Sequence, residues 1–135
     1  MRPTRTRSKP IKGKGWFIQD WGTYSNQTLV VVGLKDPEVI RLLRRLNRHS
    51  ARAFVRQNPD YDSAGFVFHH NGRSLLWLPR WKNTGEDILT LIHETNHLIH
   101  YVLNKDKGMG NETEAQAYQQ EYLFKNIRGR LNQRT

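Results

Sequence analysis

Apolar positions recur along this chain in two rhythms, and the switches between them predict its elements. "WFIQDWGTY" (16–24) and "QTLVVVGL" (27–34) are rich in aromatic and β-branched residues and end in glycine-containing turns, which reads as two strands. The second carries the longer unbroken apolar run and is expected to be the more buried. In "DPEVIRLLRRLNRHSARAFVRQ" (36–57) the period lengthens. Val39, Leu42, Leu43, Leu46 and, after a break, Ala53 and Phe54 fall at helical spacing, behind Asp36 as N-cap, Pro37 at the first helical position and Glu38 in the first turn. This predicts one amphipathic helix with an arginine-rich outer face.

The strand rhythm then returns. "AGFVFHH", Asn71-Gly72 and "RSLLWLPRW" form a hairpin signal, because Asn-Gly accepts the positive φ values of a type I′ turn. Pro79 ends the second strand or confines that part of it to an edge. "NTGEDILTLIHETNHLIHYVLNK" reads as a helix to about Asn104, with Thr84 as N-cap and Asp87 completing a capping box. A last helix is expected from about Glu112 to Ile127, fraying around Gly129. The predicted order is β-β-α-β-β-α-α, an α+β fold with a short antiparallel sheet and one basic helix. It forms a single domain over residues 16–135, behind a flexible basic arm over residues 1–15 whose only large aliphatic is Ile11.

Composition narrows the chemistry. The 135 residues suffice for one core. The absence of cysteine excludes disulfides, thiolate metal sites and a cysteine nucleophile, so any metal must be held by histidine and carboxylate. No apolar stretch reaches the length of a membrane span, and the basic N-terminus has no apolar signal core, so a cytoplasmic protein without a membrane partner is expected. The net charge of +10 is unevenly distributed: residues 1–58 hold 13 Lys/Arg against three acids, and residues 59–135 hold nine of each sign.

The helix over "LIHETNHLIHYV" carries the densest candidate chemistry. At 100° per residue, His93, His97 and His100 fall within about 60° of one another, while Ile88, Leu91, Leu98 and Val102 take the opposite side. The polar stripe is expected to face a cleft. His93-Glu94-Thr95-Asn96-His97 is His-Glu-x-x-His, in which the i, i+4 histidines stack one turn apart and can grip one Zn²⁺. Glu94 lies about 100° round from His93, where it can reach an activated water without being a ligand, the position of a general base. His100 continues the stripe too far along the axis to share a tetrahedral ion with His93, which makes it a second contact around the site and not a ligand. Glu112 and Glu114, on the next helix, offer a third ligand.

"HETNH" followed by "ETEAQAY" resembles a minimal gluzincin, the class of zinc metallopeptidases with His-Glu-x-x-His on one helix and a glutamate ligand on the next. Glu114-Ala115-Gln116-Ala117-Tyr118 matches that class's Glu-x-x-Ala-Tyr pattern, which implies Glu114 as third ligand; the register beginning at Glu112 has glutamine where the family has aspartate. The two stretches together are similar to small metallopeptidase-like proteins of tailed phages, which implies the cytoplasm of an infected host as the setting. The resemblance covers about 45 residues and leaves the basic half unmatched.

It implies a zincin-like domain acting on a peptide or protein substrate. It also implies an edge strand just before the metal helix, the position of "RSLLWLPRW", to which substrate adds by main-chain pairing. Trp77 and Trp81 are expected in the core. Tyr118, His100 and Arg80 are candidates for stabilising the oxyanion. His69 and His70 point to opposite faces of a strand and are expected to be exposed turn residues.

Arg41, Arg44, Arg45, Arg48, Arg52 and Arg56 recur at three- and four-residue steps, a footprint that suits nucleic-acid phosphate or another polyanion. Two alternatives therefore stand beside the zinc hydrolase. One is a nucleic-acid-binding protein; the other is a partner-binding protein that keeps a zincin shell without turnover.

Overall fold

The first strand run becomes β1 (Gly15–Trp21) and the second β2 (Tyr24–Val32), paired antiparallel. They belong to a computed structural model that describes residues 15–61 and 63–133. The expected basic arm, apart from Gly15, lies outside the described residues. The hairpin forms as predicted, with β3 (Phe66–His70) and β4 (Arg73–Leu78) joined by Asn71 and Gly72 at φ of 49° and 77°. Pro79 follows the last residue of β4.

The sheet corrects two expectations. Its strand order is β1-β2-β4-β3, and β2 pairs with β4 in parallel, so it is mixed and not antiparallel throughout. In consequence β4 is bonded on both sides, and β3, with β1, forms an edge. The cause is visible in "LVVV" and "LLWL": runs apolar on both strand faces belong in the middle of a sheet covered on both sides, and a parallel pair needs a long crossover, here the segment between β2 and β3.

That crossover is helical, but it is two helices. α1 (Glu38–Leu46) ends at Asn47, whose extended backbone breaks the helix and whose side chain accepts the Ser50 amide to cap α2 (Arg48–Gln57). Asp36 does not cap α1; its carboxylate accepts the Tyr61 hydroxyl at 2.8 Å. The break replaces the single basic helix by a pair, because an asparagine satisfies the new helix start better than a continued turn would.

α3 (Gly85–Ile99) begins with the predicted capping box of Thr84 and Asp87. From His100 the helix widens into a π-helical segment to Asp106, two residues beyond the expected end. α4 (Thr113–Asn132) passes through Gly129 without ending there, since Leu131 is fully buried and Trp81 donates to the Asn132 carboxamide at 2.7 Å. None of the described helices is long and apolar enough to cross a membrane.

Alternation along the strands sorts the core in two. Phe17, Val30, Val32, Leu76 and Leu78 face α3 and α4, while Trp16, Leu29, Val31, Leu75 and Trp77 face α1 and α2. Trp77 is fully buried, with its indole N–H on the Leu34 carbonyl, and Trp81 is buried on the other side, as the core reading of both predicted. A buried polar chain, Trp21 indole to Thr28 hydroxyl to Ser74 hydroxyl, crosses three strands at 2.9 and 2.8 Å. Gln119 then donates to the Trp21 carbonyl at 2.9 Å and ties α4 to the sheet.

Candidate active site

The helical spacing of His93 and His97 has the expected result. Their Nε2 atoms lie 3.1 Å apart and the rings meet edge to face, with centroids 4.6 Å apart. Two nitrogens bound tetrahedrally to one zinc at about 2.0–2.1 Å would be separated by about 3.3–3.4 Å. The pair thus already has nearly the spacing of two ligands on one ion. Both side chains, and that of His100, are exposed.

Glu94 lies round the helix from them and is buried, only 6% exposed. Desolvation raises its pKa, and the charges of His93 and His97 pull the other way. Its burial has a neighbour: a Cβ on Gly65 would lie 3.5 Å from Glu94 Cγ, 3.0 Å from Thr90 Cγ2 and 3.1 Å from the Trp77 carbonyl oxygen. The segment leading into β3 therefore passes directly against the glutamate, and a side chain at Gly65 would crowd Thr90 and the Trp77 carbonyl.

The remaining candidates are less closely gathered. Glu114 sits exposed in the first turn of α4 and Glu112, also exposed, precedes that helix. Among the described residues no group of three or more His, Asp or Glu side chains is assembled as a metal site. α3 and α4 run antiparallel: Trp81, just before α3, meets Asn132, and Gln120 reaches the Ile92 carbonyl at 3.4 Å. Glu114 is six residues before Gln120, about 9 Å along the axis, and so roughly level with the His97–Leu98 turn.

Tyr118 is exposed and lines a hollow with Tyr24 and Tyr122. Arg80 lies at the N-terminal end of α3, 3.7 Å from Glu86 and 3.6 Å from Asp87, about 10 Å of helix rise from His93. His100 bonds to Asn104 at 3.3 Å.

Tyr101 and Asp106 were not singled out by the motif, yet both join this face. The Tyr101 ring stacks on His69, with centroids 5.5 Å apart and planes 9° off parallel, and lies 6.4 Å from the His97 ring. His69, expected to be exposed, is mostly covered and bonds through Nε2 to Asp106 at 2.7 Å, while its Nδ1 is buried without a partner. His70 faces the other side of the sheet, 3.3 Å from the Ser50 hydroxyl, so the two histidines do diverge. Tyr101 was findable in the sequence: it continues the four-residue ladder His93, His97.

The chain matches no protein-family model, no characterised protein and no solved structure.

Proposed function

We propose that the protein is a zinc-dependent hydrolase of the metallopeptidase kind, in which His93 and His97 hold the ion and Glu94 is the general base. The observation that carries this reading is the 3.1 Å approach of the two Nε2 atoms beside a buried carboxylate. The two imidazoles fit a zinc ion; Glu114, which has no hydrogen bond or ion pair among the described residues and stands level with His97, is the third ligand of the proposal.

The ion, when bound, supplies Lewis acidity to water and to a carbonyl oxygen. Glu94 takes the proton of the attacking water at a carboxylate oxygen and returns it to the departing amine. Its burial favours the protonated form and so makes it a stronger base than an exposed glutamate. Peptide as substrate is supported by β3, an edge strand whose entry touches Glu94. A chain added to that edge by main-chain hydrogen bonds would run past the base.

Zinc content and cleavage of a peptide library test the reading together. Wild type is expected to hold one zinc per chain and to cleave; His97→Ala loses the metal, and Glu94→Gln keeps the metal while cleavage falls by about 10²-fold or more. A wild-type protein that takes up no stoichiometric zinc after reconstitution sinks the proposal.

A further inference from the structure

The face of the sheet opposite the histidine pair carries a second feature that the hydrolase reading leaves unused. α1 and α2, set at an angle by the break at Asn47, enclose a groove of about 850 Å³ walled by Arg41, Arg44, Arg45, Arg48, Arg52 and Arg56. The apolar Ile40, Ala51 and Val55 complete its lining. Arg52 and Arg56 also line an adjoining hollow of about 320 Å³ that reaches His49 and, on the β3–β4 hairpin, His70 and Asn71. The cationic track therefore runs from α1 across α2 to the hairpin.

None of the six arginines makes an ion pair or hydrogen bond among the described residues. Three arginines elsewhere are engaged: Arg80 with Glu86 and Asp87, Arg128 with Asn83, and Arg130 with the Ile18 carbonyl and the Phe17 ring. Six guanidinium groups that converge on one concavity without a neutralising acid among the described residues repel one another, and a solvated surface would spread them or intersperse acids. The arrangement is matched by a ligand that presents anions repeatedly at short, regular spacing.

We propose that this groove binds the phosphate backbone of double-stranded nucleic acid, without base readout. Guanidinium forks suit phosphate oxygens, and successive arginines at helical steps of three and four residues rise about 4.5–6 Å, a spacing suited to several phosphates at once. No aromatic residue lines the groove, so it offers bases nothing to stack on, which favours a duplex over a single strand. Its concavity also sets it apart from the apolar, protruding surfaces that enter a lipid interface. The site is independent of the zinc reading, because it lies on the other side of the sheet and is measured without cleavage.

The test is fluorescence anisotropy with a labelled 20-bp mixed-sequence duplex and the full chain, across a series of NaCl concentrations. Arg44→Ser/Arg45→Ser/Arg48→Ser is expected to lower affinity at 0.1 M salt by roughly 10²-fold and to make the slope of log K against log[NaCl] shallower by about 2 to 3. The corresponding triple lysine variant keeps the slope.

Because Arg2, Arg5, Arg7, Lys9, Lys12 and Lys14 supply charge of their own, the comparison is repeated with those six changed to Gln. The groove-dependent loss is expected to persist. The proposal is overturned if the triple serine variant, folded by circular dichroism, keeps the wild-type affinity and slope. Tighter binding of a single-stranded 20-mer, of polyglutamate or of phosphatidylserine vesicles than of the duplex overturns it equally.

Discussion

Glu94 is held out of water on a helix where His93 and His97 are not, and in the proposed hydrolase that division of burial separates the base from the ligands. A buried carboxylate holds a proton more readily than an exposed one, whereas exposed imidazoles keep their nitrogens available to a metal. At this scale the proposed ion draws its third ligand from two candidates, and two glutamates two residues apart point about 200° away from each other if both continue the helix. Glu114 has the helical position and the level of His97. Glu114→Ala is therefore expected to weaken zinc binding by about 10²-fold or more, and Glu112→Ala by less than about threefold, in competition titrations with a metal indicator. Equal losses from both, or a loss from Glu112 alone, would move the ligand to Glu112 or to both.

At the scale of elements, the helix that carries His93 and His97 has two different ends. Its start is tightly specified: Thr84 accepts from the Asp87 amide at 3.1 Å, and the Asp87 carboxylate accepts from the Lys82 amide at 2.7 Å. Its end is loose, because the hydrogen-bonding pattern widens from His100 and carries Tyr101 onto His69 and Asp106 under it. The same sequence thus anchors the turn before the histidines and re-aims the turn after them. Thr84→Ala removes the cap and is expected to cost about 1 kcal/mol in urea unfolding, with no change in zinc stoichiometry. A loss of metal in that variant would mean that the helix start, and not the pair itself, governs the site.

For the whole molecule, one sheet separates two surfaces of opposite character. The side covered by α3 and α4 presents the histidines, and the side covered by α1 and α2 presents arginines that are unpaired among the described residues. Trp77 packs on the arginine side, stacked 5.0 Å from Phe66 and edge-on to Tyr61 at 5.2 Å, while its backbone carbonyl faces Gly65 beside Glu94. Trp77→Ala is expected to cost about 3–5 kcal/mol, a large share of a small domain's stability, read as a fall in the urea midpoint. Trp77→Phe, which keeps much of the packing and loses the bond to Leu34, should cost less.

Local signals were read well from the sequence because their causes are local. The Asn71-Gly72 turn, the Thr84 capping box, the burial of "LVVV" and the four-residue step from His93 to His97 each depend on residues within one turn or one strand. The arginine stripe was legible for the same reason.

What the sequence left undecided depends on partners distant along the chain. The parallel pairing of β2 with β4 moved the edge from β4 to β3, and Asn47 turned one helix into two and so folded a stripe into a groove. The bond from His69 to Asp106 joins residues 37 apart, and no periodicity encodes it. By itself, then, the sequence determined which side chains would share a helix face. Only the tertiary structure decided which of them would lose water, because burial is set by what packs across from a residue and not by what precedes it.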